Sequence, residues 1–120
     1  MSSTDLGPIR RVINATQNSL HGLRQAWGTE PAFRYEIYVL IVALPTAWFL
    51  GGGAVERALM IGSVSVVVVV ELINSAIETV VDRIGPEHHP LSGRAKDLGS
   101  AAVFCSIAIA LMVWIIVLLG

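Results

Sequence analysis

Charge is scarce in this sequence. Eight basic and nine acidic residues are spread over 120 positions, while 54% of the residues are hydrophobic. A soluble domain this small exposes most of its residues and needs far more charge to stay in water. The composition therefore points to a membrane, and the length to at most one domain. A formal net charge of −1 offers nothing to attract a nucleic acid. Cysteine is almost absent too. The lone Cys105 excludes an intrachain disulfide and a multi-cysteine metal site. Lying in an apolar run, it is expected to be a small buried hydrophobe. A long polar and basic stretch precedes the first apolar segment, so no secretory leader is expected.

Long apolar runs are what the sequence does have. Residues 98–119 contain no charged side chain, and a helix of that length rises roughly 30 Å, the thickness of a bilayer's hydrocarbon core. Residues 33–50 form a second candidate span, closed by Gly51, Gly52 and Gly53. Pro45 within it would break a helix in water, but inside a bundle the freed carbonyl can find another donor. A third run begins at Ala54. Its valines at 66–70 suit a buried strand, yet a single open strand cannot satisfy its backbone in lipid, whereas a helix can. One long helix is expected over 54–84, ended by Gly85-Pro86. The expected fold is all-α: spanning helices at about 30–50, 54–84 and 91–119, preceded by a surface helix at about 8–27.

That surface helix starts at Gly7-Pro8, with proline at its first helical position. Ile9, Val12, Ile13, Thr16, Leu20, Leu23 and Trp27 recur at three- and four-residue spacing, while Arg10, Arg11, His21 and Arg24 lie toward the other side. Such a helix lies in the interfacial plane with Trp27 at headgroup depth. Arg10, Arg11, Arg24 and Arg34 precede the first span, and Arg83, Arg94 and Lys96 surround the turn between the second and third. The positive-inside rule then places the N-terminus and the 85–91 turn in the cytoplasm.

The second span carries the chemistry. Glu71, Asn74, Ser75, Glu78 and Asp82 fall at i, i+3, i+4, i+7 and i+11, a single stripe on a helix of 3.6 residues per turn. Counted from Ala54, Glu71 lies about 25 Å along the axis and Glu78 about 36 Å. The first is thus just inside the lipid and the second just outside it. Ionisable groups at such depth mark functional sites by default. Asn74 and Ser75 alone would suit a plain hydrogen-bonding seam between helices. Two glutamates on one face do not, because like charges repel unless a cation lies near. Asp82-Arg83 is explained equally well as a solvated charge pair.

At the mouth of the third span, Arg94, Lys96 and Asp97 precede the apolar run at the level of Glu78. Lys96 suits phosphate, and Asp97 suits a ligand hydroxyl or a metal. Snorkelling charges at a helix mouth are the plainer reading of that cluster. Glu30 comes at the matching level of the first span, where Thr29 is expected to cap the helix and Glu30 to favour its positive end. Glu30 and Glu78 with phosphate oxygens would make a Mg²⁺ site. Glu87, His88 and His89 before Pro90 hint at zinc, but adjacent histidines in a proline-bounded turn usually face solvent. Three helices are not expected to hide the stripe on all sides, so a homo-oligomer with shared sites follows.

Taken together these residues resemble a known family. The run Glu71-Leu72-Ile73-Asn74-Ser75-Ala76-Ile77-Glu78, followed by Ala95-Lys96-Asp97 at this spacing, is similar to bacterial diacylglycerol kinases. Gly22-Leu23-Arg24, Ala26-Trp27, Glu30 and Ala32-Phe33-Arg34 extend the resemblance over nearly the whole chain. It implies a homotrimer of three-span subunits in the bacterial inner membrane, unrelated in fold to soluble kinases. No G-x-x-x-x-G-K phosphate loop is present, in keeping with that. The implied reaction moves the γ-phosphate of MgATP to diacylglycerol, giving phosphatidic acid and ADP. By motif match Glu71 would be the general base, and Glu30 and Glu78 would hold Mg²⁺. ATP would meet Arg11, Asn18, Glu30, Glu78, Glu87, His88, His89, Lys96 and Asp97. The lipid would meet Arg11, Ser19, Arg24, Trp27, Glu71 and Ser100, with Asn74 in support. Asn18 stands where the family often has an aromatic, and Pro86 and Pro90 stiffen the turn.

Three other readings compete. An undecaprenol kinase would share the stripe, although Ser92-Gly93-Arg94 looks more like the diacylglycerol branch. A cation- or proton-conducting oligomer could use Glu71 and Glu78 as its pathway, and an assembly protein without turnover would tolerate their loss.

Overall fold

The computed structural model describes residues 7–120. They form four helices: α1 Gly7–Thr29, α2 Pro31–Leu50, α3 Ala54–Ile84 and α4 Pro90–Leu119. The last three are long and apolar enough to cross a membrane, so the chain is an all-α membrane protein. The bounds foreseen from apolar runs hold to within a residue for these three. α1 begins one residue sooner and ends two residues later than the spacing of its apolar side chains suggests.

Proline sets the joint between α1 and α2. The residue before a proline is pushed out of the helical region, and Glu30 lies there at φ −115° and ψ 98°, with Pro31 opening α2. Thr29 does not cap α2 as expected, because it is the last residue of α1. Its Oγ1 donates back to Gln25 O at 2.7 Å. The Glu30 amide still donates to Ala26 O at 2.9 Å, and Arg34 Nη1 donates to Trp27 O at 2.7 Å. Trp27 meets Tyr38 edge-on, ring centroids 5.8 Å apart. Beneath the joint, Ala26, Phe33 and Val68 form a buried cluster with Ile37, Leu40 and Leu72 against it. That cluster ties α1, α2 and α3 together one turn before Glu71.

α2 runs unbroken through Pro45. At its far end Gly51 is required by close approach: a Cβ there would lie 2.6 Å from Arg57 Cγ and 2.7 Å from Ala47 O. Arg57 closes that turn, its Nε donating to Trp48 O at 2.9 Å and its guanidinium lying 4.7 Å from the Trp48 ring centre.

α3 and α4 pair most extensively. Deep in the pair, Trp114 Nε1 donates to Met60 O at 2.9 Å, beside a Met60 side chain with no exposure. Interhelical hydrogen bonds in membranes contribute about 0.6 kcal/mol on average and up to about 1.7. Trp114→Phe, which also removes ring volume, is expected to lower stability by about 1 kcal/mol in a denaturant titration in mixed micelles. An unchanged midpoint would mean that the bond contributes nothing. Cys105, expected inside, is exposed on α4. Lipid accepts apolar side chains as readily as a core does, so hydrophobic character alone did not place it.

Candidate functional site

The stripe on α3 exists as foreseen, and its burial is graded. Glu71, Asn74 and Ser75 are 5%, 8% and 9% exposed, Glu78 is half-buried and Asp82 exposed. A single chain already covers the inner half of the stripe, and its outer half, Glu78 and Asp82, stays open as expected. Small residues make this possible: buried Gly99 on α4 lets that helix come against Asn74.

Within the stripe Asn74 Nδ2 donates to Glu78 Oε1 at 3.3 Å. Asn74 Oδ1 and Ser75 Oγ are buried without a hydrogen-bond partner. Glu78 and Glu30, both acidic, act electrostatically on Glu71. Glu30 stands out of helical geometry at the break before Pro31 and is near enough to act on Glu71 electrostatically. Its side chain makes no capping bond and is free to serve elsewhere.

Glu36 on α2 belongs to the same region and was not among the residues foreseen. Its Oε2 is buried and unpartnered, and Glu71 acts on it electrostatically. A carboxylate inside an apolar run is the signal that could have found it. Glu36 also lines a crevice of about 620 Å³ between α2, α3 and α4, walled by apolar side chains including Val39, Val42, Val67, Leu111 and Trp114.

On α4, Lys96 does not stand free for phosphate. Its Nζ lies 2.7 Å from Asp82 Oδ1, with Glu78 acting on it from nearby. Asp82 therefore pairs across the two helices rather than with Arg83 beside it in sequence. Both side chains are substantially exposed, so the pair is weak and easily exchanged. His88, His89 and Asp97 line a second, open crevice of about 590 Å³ with Arg94 and Gly93. His89 has a structural duty as well, since its Nδ1 accepts from Leu91 N at 3.1 Å and caps α4. Glu87 and Ser100 are exposed beside this region.

The surface helix is not gathered in. Arg11, Asn18, Ser19, Arg24 and Trp27 are all exposed, and Ala26 is the one buried residue of α1. Arg11 lies about 22 Å along α1 from that anchor. Each apolar residue foreseen on its membrane face is exposed too, Ile9 most of all at 78%.

As a cation site, the donors near Glu71 are hard carboxylate oxygens, with an amide steadying one of them. Among the described residues no three His, Cys, Asp or Glu side chains converge enough to enclose a metal. Two carboxylates completed by phosphate oxygens fit a hard divalent ion that arrives with a nucleotide. The donor set does not fit zinc, which favours sulfur and imidazole in a closed site.

Comparison with known proteins decides the family. The model of the family described as prokaryotic diacylglycerol kinase matches residues 17–118. The chain belongs to that family. The diacylglycerol kinase of Escherichia coli K12 is 52% identical over 108 residues, covering 90% of this chain and 88% of the relative. That of Haemophilus influenzae Rd is 51% identical over 106 residues, covering 88% and 90%. That of Pseudomonas aeruginosa PAO1 is 45% identical over 112 residues, covering 93% and 91%. The chain is thus a kinase and an enzyme. All the residues of the α3 stripe and the α4 mouth lie inside the matched region.

Proposed function

We propose that this enzyme transfers the γ-phosphate of MgATP to the free hydroxyl of diacylglycerol, giving phosphatidic acid and ADP. The observation that carries the proposal is the α3 column, with Glu71 covered by protein and under the electrostatic influence of Glu30, and Glu78 one level nearer water. A lipid hydroxyl and a water-borne nucleotide would meet there.

In this scheme Glu71 accepts the hydroxyl proton as the lipid oxygen bonds to the γ-phosphorus. The bond from that phosphorus to the β–γ bridging oxygen breaks, and ADP leaves with the electron pair. Glu30 and Glu78 would hold Mg²⁺, whose bound charge offsets that of the phosphates. Asn74 steadies Glu78. Lys96 would leave Asp82 for the nucleotide, with Asp97, Glu87, His88 and His89 around the second crevice. The apolar crevice that begins at Glu36 suits an acyl chain. Positioning and charge neutralisation are most of what phosphoryl transfer needs.

Arg11, Asn18, Ser19, Arg24 and Trp27 stand clear of the column in their own protomer, and Ser100 lies exposed near it on α4. Their proposed contacts with ATP and lipid are best met if α1 reaches a neighbouring subunit, as in a homotrimer with shared sites. The basic residues flanking the spans favour a cytoplasmic site in a bacterial inner membrane.

Purified protein in mixed micelles with MgATP is expected to yield phosphatidic acid and ADP in equal amounts when given diacylglycerol, and little product from undecaprenol. Product from undecaprenol alone would replace the substrate. No ADP with either lipid, together with ion flux in liposomes, would replace the kinase reading with conduction.

A further inference from the structure

Where α4 packs against Asn74 of α3, an unpartnered amide faces a missing side chain. Asn74 Oδ1 is buried and accepts no hydrogen bond, and it occupies the space that a Cβ on Gly99 would need. The other end of the same planar group, Nδ2, is 3.3 Å from Glu78 Oε1. One end is seated against the backbone of α4, so the other is aimed along α3 at the carboxylate one turn on. A carbonyl oxygen against a glycine Cα makes a weak C–H···O contact, and small residues are what permit it between helices in a membrane.

We infer that Gly99 is a positioning residue: by omitting a Cβ it seats the Asn74 amide that holds Glu78 in orientation. The inference rests on the proposed role of Glu78 in holding the nucleotide's divalent ion, and it adds a residue that touches neither nucleotide nor lipid. A methyl group at 99 would overlap Asn74 Oδ1. The amide must then rotate, and a rotated amide no longer donates to Glu78. Partners that orient a metal ligand typically change metal affinity by about 10- to 100-fold when lost.

The test is the affinity of the full-length protein in mixed micelles for Mn²⁺ with a non-hydrolysable ATP analogue, read by electron paramagnetic resonance. Gly99→Ala is expected to weaken it roughly tenfold. Asn74→Ala should do the same, and the double variant should be no worse than Asn74→Ala, because the two changes remove one contact. Asn74→Ala also opens the space that an alanine at 99 needs, so the double variant stays informative if Gly99→Ala alone fails to fold. Wild-type affinity in Gly99→Ala, or losses that add in the double variant, would overturn the inference. Glu78→Gln separates the two levels. If it binds like wild type, the metal reading fails and this inference with it. If Glu78→Gln weakens binding and Gly99→Ala does not, only this inference fails.

Discussion

Glu71→Gln is expected to abolish lipid phosphorylation while leaving the protein folded. General-base catalysis contributes about 10²- to 10⁴-fold, and glutamine keeps the shape of the side chain while losing the proton acceptor. Stability should hold or rise slightly, since the charges acting on Glu71 are the like charges of Glu78 and Glu30. Thermal melts with helical circular dichroism as the signal test the second half, and single-turnover ADP release tests the first. Turnover near wild type would remove the proposed base and favour an assembly role for the stripe. Loss of fold together with activity would mean that the buried carboxylate has a structural duty instead.

Glu78→Gln should fail differently. Glutamine can still accept from Asn74 Nδ2, so the geometry of the column survives and the charge alone is lost. The Mg²⁺ concentration that half-saturates activity is expected to rise about a hundredfold at fixed ATP, on the scale seen when metal-site support is removed. The maximal rate at high Mg²⁺ should recover partly, in contrast to Glu71→Gln, which excess metal cannot rescue. An unchanged Mg²⁺ requirement would exclude Glu78 as a ligand. The contrast separates metal binding from proton removal within one helix.

The spans were legible because lipid is an unforgiving solvent for backbone, so run length and charge gaps set their bounds. The stripe was legible because a period of 3.6 puts Glu71, Asn74 and Glu78 on one face whatever surrounds them. What the period cannot give is which neighbour covers that face. Asp82 finding Lys96 depends on how closely α3 and α4 approach across the 85–89 turn, which no spacing within either helix encodes. The seat of Asn74 against Gly99 is hidden for the same reason: the glycine can be read, its partner cannot. Glu36 is a different kind of miss. Its carboxylate is visible in an apolar stretch, but it belongs to no periodic stripe that would tie it to Glu71. Cys105 shows the converse limit, since in a bilayer hydrophobicity does not separate inside from outside.

The corner at Glu30 is laced rather than loose. A hydrogen bond from the Glu30 amide back to Ala26 O, the Arg34 guanidinium on the Trp27 carbonyl and the edge-on meeting of Trp27 and Tyr38 all span it. A hinge so braced cannot let the surface helix swing alone. If α2 tilts to match a thinner or thicker bilayer, α1 is expected to lift or dip with it, carrying the Glu30 carboxylate at the elbow.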